Sequence, residues 1–211
     1  MFKRDADAIR YASYRSADSM AFTLMFAVAT ANCPFKQSIE AMAILRRRFL
    51  LGQYELSDFT EQEKSVMGCA FTGAKYGHYV NIWVKRVLIH NHYTVMHDAA
   101  DWEAFWNYCM DELSGMGLVK AAFATQMLFN KMGCIDIHNA REMGYDKVPS
   151  GKSKKQRENY LKVQAIKSSE DWWNDWCVAL VSKTRTGYAP NTMSADYISG
   201  LHAAAVLGFS L

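Results

Sequence analysis

The stretch LSGMGLVKAAFATQMLF at residues 113–129, followed by GCIDIHNAR at residues 133–141, decides the fold. Gly115 and Gly117 predict a tight turn between two helices, because glycine adopts a positive φ and lets another backbone approach closely. The second helix begins near Leu118. Its first N–H groups then point outward, and outward-pointing N–H groups at a helix start bind phosphate. We therefore expect a helical hairpin that contacts a phosphate, with an ordinary helix–helix turn as the alternative for the two glycines.

The chain around this hairpin also has helical periodicity. Residues 19–31 are apolar on all faces, as in a helix buried between neighbours. Pro34 suits the first turn of the next helix. Thr60 and Glu63 have the spacing of a capping box. We find no internal repeat and no convincing two-residue alternation, so the sequence predicts an all-α fold.

Later segments add detail to this all-α prediction. Tyr79, Trp83 and Val87 form one predicted apolar stripe on a helix. Residues 147–157 (KVPSGKSKKQR) hold five basic residues and no acid, and are predicted to be an exposed loop. That loop is either solvated or able to embrace DNA. Two tail helices are expected, one around residues 172–180 and one over 194–207.

Composition limits the class of protein. The chain has 211 residues, of which 50% are hydrophobic and 13% aromatic, which is enough for a core and excludes a disordered chain. There are 24 Lys and Arg against 21 Asp and Glu, so the net charge is +3. A mild basic excess is compatible with nucleic acid as a partner but does not require it.

Cysteine usage and the N-terminal segment favour a cytoplasmic protein, or the host cytoplasm if the chain is viral. The five cysteines are odd in number and form no CxxC pair, which argues against a disulfide framework and a cysteine-ligated metal. Charges run through residues 1–16, unlike a secretory signal. The apolar run over 20–31 is too short to span a bilayer, so no membrane partner is expected.

Four histidines lie close together in the sequence and raise the question of a metal site. His90 and His92 are two residues apart, which places them on different faces of a helix. Neither an acid nor a cysteine completes a ligand set with His78 or His97. No metal site is predicted.

The hairpin and the segment after it resemble the helix-hairpin-helix base-excision DNA glycosylase superfamily. The family signature is L-x-G-x-G-x-K/S-x-A, an apolar helix and V-D-x-H-x-x-R, in which the aspartate is catalytic. Asp136, His138 and Arg141 match the last motif. The resemblance spans residues 20–145 and implies a two-lobed all-α fold, with one lobe over 23–128 and the other combining 1–22 with 133–211.

Two upstream segments extend the resemblance. Residues 77–81 are similar to the family's G-x-Y-x-x-K-A helix, although Lys85 is out of register with that lysine. Residues 29–32 are similar to its L-S-x-Q segment, whose polar residue fills the gap left in DNA by the extruded nucleotide. Asn32 replaces that glutamine and is one methylene shorter. The alternative for Asn32 is a buried polar residue that ends a helix.

The chain departs from the family at the nucleophile. Members that also cut the strand carry a lysine where this chain has Val119, and Lys120 lies one residue, or about 100° of rotation, further on. The resemblance therefore implies a monofunctional enzyme. The family's four-cysteine motif is missing after Asp136, so no iron–sulfur cluster is expected. The resemblance leaves room for a monovalent ion at the hairpin.

The resemblance also implies roles for individual residues. The Asp136 carboxylate would stabilise the positive charge that develops on the sugar as the N-glycosidic bond breaks, although a helix N-cap is the alternative for this residue. Lys120 would contact phosphate or, because it is one residue out of register, less readily form a Schiff base; a solvated lysine is the alternative. His138 would support local structure rather than act as a base. The implied DNA-binding residues are Gly115, Gly117, Val119, Lys120, Asn32, His138 and Arg141.

The function expected from the sequence is that of a monomeric DNA glycosylase that flips a modified or mismatched base from double-stranded DNA and hydrolyses its N-glycosidic bond. Three alternatives stay open. The same fold could act on hypermodified bases in a virus-encoded pathway. The chain could be a non-catalytic DNA-binding protein that retains the hairpin. It could also be a helical interaction protein with no nucleic-acid role.

Overall fold

The computed structural model describes residues 2–136, 140–141, 144–147 and 150–164, and the regular elements in these ranges are helices. The all-α prediction is confirmed for them. The α-helices are α1 Phe2–Arg15, α2 Ala17–Ala29, α3 Phe35–Leu50, α4 Glu61–Met67, α5 Gly73–Val84, α6 Arg86–Asp98, α7 Trp102–Glu112, α8 Leu118–Phe129 and α9 Lys154–Gln164, with 3₁₀ turns at Leu56–Asp58 and Gly68–Ala70.

Helix α2 is the centre of the fold. Residues 20–29 are all fully buried, and α2 packs against α1, α3, α5, α6 and α8. Ser16 caps its start by accepting a hydrogen bond from the Ser19 N–H at 3.2 Å. A helix that is apolar on every face is stable only when neighbours cover all of them. The prediction of a buried helix from this segment is confirmed.

Helix α1 packs on the same core through α2, α6 and α8. Its Ser13 hydroxyl lies 3.2 Å from the Thr23 hydroxyl of α2, and both residues are fully buried. The sequence assigned α1 to the second lobe. Residues 165–211, which hold nearly half of that lobe and both predicted tail helices, lie outside the described residues, so the division into lobes remains a prediction.

A buried carboxylate joins α3 to α4. The capping box of Thr60 and Glu63 is confirmed, since each side chain accepts a hydrogen bond from the other's backbone N–H. Glu63 also accepts two hydrogen bonds from Arg48, at 2.8 and 3.1 Å, and one from Arg47 at 2.6 Å. These partners, with Arg48 first, lower the pKa of Glu63 to about 2.

The predicted stripe of Tyr79, Trp83 and Val87 is wrong at its last member. Tyr79 and Trp83 are buried, but Val87 is 57% exposed. Helix α5 ends at Val84, and Lys85 with ψ near 1° separates it from α6. The break shifts the buried face of the second helix to Ile89 and Tyr93.

The basic segment is a loop only in its first part. Helix α9 begins at Lys154, after Ser153 and Gln156 cap each other's backbone N–H. Arg157 forms a two-pronged ion pair with Asp111 of α7. Arg157 therefore attaches α9 to α7, whereas Lys154 and Lys155 of the same helix face solvent.

Among the helices of the described residues, none combines the length and the apolar character needed to cross a bilayer.

Replacing Glu63 by Gln is expected to lower the free energy of unfolding by about 2 kcal/mol at pH 7, because the arginines lose a charged, largely buried partner. The folded pKa of Glu63 is depressed, so its contribution is present above its ordinary pKa of 4.5 and disappears as the pH falls towards about 2. Urea unfolding of both proteins at several pH values measures this.

The matched control is Glu61→Gln on the same helix, whose side chain is 90% exposed and pairs with Lys64 at i+3. It should change stability by less than about 0.5 kcal/mol. Equal effects of the two variants would contradict the importance assigned to Glu63.

Candidate nucleic-acid interface at the hairpin

The predicted glycine turn joins α7 to α8. Gly115 has φ +81°, a left-handed conformation that favours glycine, and Gly117 is the extended N-cap of α8. The helix starts at Leu118, as the sequence predicts. Among the described residues no side chain caps α8, so its first backbone N–H groups are left to donate to another partner.

The two glycines meet different surroundings. A Cβ at Gly115 would lie 2.5 Å from the His78 ring, whereas one at Gly117 would meet nothing within 4 Å. The His78 Nδ1 also lies 2.8 Å from the Ser114 hydroxyl. Gly115 therefore lets α5 dock against the hairpin, and Gly117 leaves the start of α8 open.

Lys120 lies in the first turn of α8 and is half-buried. Burial, and secondly the charge of Lys75, lower its pKa. Burial and the charge of Lys120 in turn lower the pKa of His78, so this imidazole is neutral at pH 7. The structure thus brings Lys120, His78 and the hairpin together, with a second lysine nearby.

Lys75 connects this cluster to the end of α2, and sequence reasoning missed it. Its ammonium donates hydrogen bonds to the carbonyls of Ala29 at 3.1 Å, Ala31 at 2.6 Å and Cys69 at 2.9 Å. A cation at a helix C-terminus satisfies carbonyls that have no partner in the helix. A lysine that binds backbone 44 and 46 residues away has no signal in the local sequence.

Asn32 lies in the loop that Lys75 holds. It is exposed and has φ +50°, a conformation that asparagine adopts more readily than most residues. The alternative of a buried polar residue is therefore wrong. Lys75 binds this loop through the Ala31 carbonyl, and its charge also acts on Lys120.

Asp136 is half-exposed, so its side chain is not sealed in the core. Its N–H donates to the Cys134 carbonyl at 2.9 Å, and its carbonyl accepts from the Ala140 N–H at 2.8 Å. The second bond joins residues four apart in sequence, which is the spacing that the capping alternative for Asp136 requires.

Two buried side chains hold the segment before Asp136. The side-chain oxygen of Gln126 accepts from the Cys134 N–H at 3.1 Å. The Tyr160 hydroxyl of α9 accepts from the Ile135 N–H and donates to the Gly133 carbonyl, both at 3.0 Å. Neither Gln126 nor Tyr160 was singled out from the sequence, because a polar residue in an apolar helix and a lone tyrosine have many other uses.

For the remaining predicted site residues, the structure gives the position in the chain fold and the exposure of the side chain. Val119 is half-buried in the first turn of α8, and Arg141 is exposed. His138 lies outside the described residues. Lys75 binds the Asn32 loop and its charge acts on Lys120, whereas hydrogen bonds from Gln126 and Tyr160 tie the Asp136 segment to α8 and α9.

A surface cavity of about 420 Å³ lies between α7 and α9 rather than at Asp136. Its lining includes Trp106, Asn107, Lys152 and Arg157. Arg157 and Lys152 are already engaged there, with Asp111 and with the Met110 carbonyl. The cleft expected between two lobes needs residues beyond 164 and is not described.

The clustered histidines have separate partners. His90 lies 2.9 Å from the Tyr14 carbonyl, and the ring of His92 packs on Tyr108 at 4.9 Å. His97 packs between aromatic rings of α1, α6 and α8. Within the described ranges, no three His, Cys, Asp or Glu side chains are arranged to hold a metal ion.

Alanine at Gly115 is expected to lower the free energy of unfolding by about 2 kcal/mol, because it combines a left-handed φ with a clash against His78. Alanine at Gly117 should cost less than about 1 kcal/mol, since the backbone there is extended and the space is open. Chemical denaturation of both variants measures the difference. A Gly115→Ala protein as stable as Gly117→Ala would contradict the packing described.

No protein-family model matches this chain, and no curated protein or solved structure does either. Any functional assignment therefore depends on the residues of the hairpin and of the Asp136 segment.

Proposed function

We propose that the chain is a DNA glycosylase-like enzyme, which binds double-stranded DNA through residues 113–117, extrudes a modified or mismatched base and hydrolyses its N-glycosidic bond. One observation carries the proposal. The glycine turn leads into a helix that has no side-chain cap, and a half-buried lysine stands in the first turn of that helix.

Charge supports a polyanion as the partner at this turn. Lys120 and Lys75 are both partly buried. Burial lowers the pKa of each lysine, because the charged form is less stable there than in water. The Lys75 ammonium is compensated by three carbonyls. A phosphate at the start of α8 would compensate Lys120 in the same way, and would also accept from the free backbone N–H groups.

The exposed loop at Asn32 supports the base-extrusion step. A polar side chain inserted into the duplex replaces the contacts that an extruded nucleotide leaves behind. Asn32 is exposed, and Lys75, which binds the loop that carries Asn32, is close enough for its charge to lower the pKa of Lys120 in the first turn of α8. One face of the molecule would then grip the backbone and fill the gap.

Asp136 would supply the chemistry. As the bond between the base and the sugar lengthens, positive charge develops on the deoxyribose, and a fixed carboxylate lowers the energy of that state. Water then adds to the anomeric carbon, the base leaves with the bonding electrons and a proton, and an abasic site remains. Gln126 and Tyr160 would keep the carboxylate in place by holding the preceding backbone.

The lowered pKa of Lys120 favours a second candidate, an enzyme that also cuts the strand. A nucleophilic amine must lose its proton, and burial moves Lys120 in that direction. Against it, the matching position in the resembled family is Val119, and Lys120 is rotated away from it by about 100°. We therefore propose the monofunctional reaction.

Asp136→Asn is expected to abolish base release from lesion-bearing duplexes while leaving their affinity within about twofold, because it removes the charge and keeps the shape of the side chain. The assay incubates a broad lesion panel with each protein and detects abasic sites by alkali cleavage. Asp146→Asn, at an exposed position ten residues on, is the matched control and should retain activity.

Two outcomes would redirect the assignment. Binding without release from any duplex of the panel would leave a non-catalytic DNA-binding protein. Mass spectrometry of nucleosides from treated hypermodified DNA would detect activity confined to such bases. If the protein does not bind duplex DNA at low salt, the proposal fails altogether.

Lys120→Gln is expected to weaken duplex binding about tenfold at 0.1 M salt and to reduce the salt dependence by about one counterion, as expected for the loss of one phosphate contact. Lys85→Gln, at the exposed end of α5, should change neither. Filter binding across a salt series measures both. Borohydride with abasic DNA should trap no adduct; an adduct that Lys120→Gln abolishes would establish the strand-cutting candidate instead.

A further inference from the structure

Two thiols that are remote in sequence are adjacent in the fold. Cys33 follows α2, and Cys69 lies in the 3₁₀ turn Gly68–Ala70 before α5. Their sulfur atoms are 2.6 Å apart although 36 residues separate them. Both are free thiols and both are half-buried.

A glutamine side chain covers the pair. The Gln37 side-chain oxygen lies 2.9 Å from the Cys69 sulfur and 3.7 Å from the Cys33 sulfur, so it accepts from both thiols. Gly68 has φ +45°, and a Cβ there would collide with the Gln37 amide. Glycine at this position therefore allows Gln37 to lie over the two sulfurs.

The backbones that carry the two thiols are also held together. Lys75 donates to the carbonyl of Ala31, two residues before Cys33, and to the carbonyl of Cys69 itself. The sulfur contact is thus set by main-chain positions rather than by the rotamers of two side chains alone. A disulfide bond is about 2.05 Å long, so closing it requires an approach of about half an ångström.

We propose that Cys33 and Cys69 are a paired oxidation site, which forms an intramolecular disulfide by exchange with a low-molecular-weight disulfide such as glutathione disulfide. One protein thiolate attacks glutathione disulfide, forms a mixed disulfide and releases one glutathione. The other protein thiolate then displaces the second glutathione. The protein loses two electrons and two protons, and two glutathione thiols carry them away.

The cross-link would fix the loop that carries Asn32 to the turn that precedes α5. In the reduced protein the same segments are joined by the Gln37 and Lys75 hydrogen bonds. Burial, and secondly the contact with Cys69, raise the pKa of Cys33 to about 11, so this residue is a thiol at neutral pH and must lose its proton before it attacks a disulfide. The inference rests on the sulfur geometry and does not depend on the proposed glycosylase activity.

The test is to equilibrate the full chain with glutathione disulfide, quench with an alkylating reagent in denaturant, and count thiols. The chain contains five cysteines, so the count should fall from five to three, and the protease digest should contain one cross-linked pair of peptides joined through Cys33 and Cys69. The midpoint of thermal unfolding should rise by about 10 °C, because the cross-link closes a long loop in the unfolded chain.

Cys33→Ser and Cys69→Ser should each lose this cross-link and instead retain bound glutathione on the remaining thiol. Cys177→Ser keeps the pair and should still lose two thiols. A dithiol reference peptide in the same reaction shows that the glutathione disulfide is active. If the wild-type protein still has five free thiols when that peptide is oxidised, or if Cys33 pairs with a cysteine other than Cys69, the proposal is overturned.

Discussion

Burial of α2 on every face is the constraint on which the described structure depends. Residues 20–29 have no exposed surface, and five other helices cover them. Such a helix cannot exist in water without its neighbours, since each of its faces is apolar. The cost of this arrangement appears at its end, where carbonyls without helical partners must be satisfied. Lys75 meets that need from α5, and by doing so brings α5 and the hairpin to the end of α2.

The candidate interface follows from that junction. Helix α5 contributes His78 against Gly115 and Lys75 against the α2 end, three residues apart on one helix face. Lys120 then lies near two basic groups, and the pKa of His78 falls so that only the lysines remain charged. A site with two partly buried cations and open backbone donors is suited to an anion. That is a property of several helices together and of none alone.

The acidic part of the site has a different support. Hydrogen bonds hold the segment 133–136 to Gln126 of α8 and to Tyr160 of α9. Tyr160 itself stacks on Trp106 of α7 at 5.6 Å between ring centres. The hairpin helices therefore support both the glycine turn at residues 115–117 and the backbone that carries Asp136. A change in the packing of α7 against α8 would move both groups together.

What the sequence by itself determined is local. The all-apolar segment of α2, the capping box of Thr60 and Glu63 and the glycine turn at 115–117 each depend on residues within a few positions of one another, so spacing alone predicts them. The functional interpretation of Asp136 and Lys120 came from the resemblance to the helix-hairpin-helix glycosylases and remains a prediction.

Only the tertiary structure decided which surroundings each residue has. The break at Lys85 exposes Val87. Part of the basic segment that was predicted to be a loop is the start of α9, and Arg157 of that helix pairs with Asp111 of α7. The same holds for the clash that distinguishes Gly115 from Gly117, the carbonyls bound by Lys75 and the contact of Cys33 with Cys69. These features join residues tens of positions apart, and their energies depend on desolvation and on distances that exist only after the helices have packed.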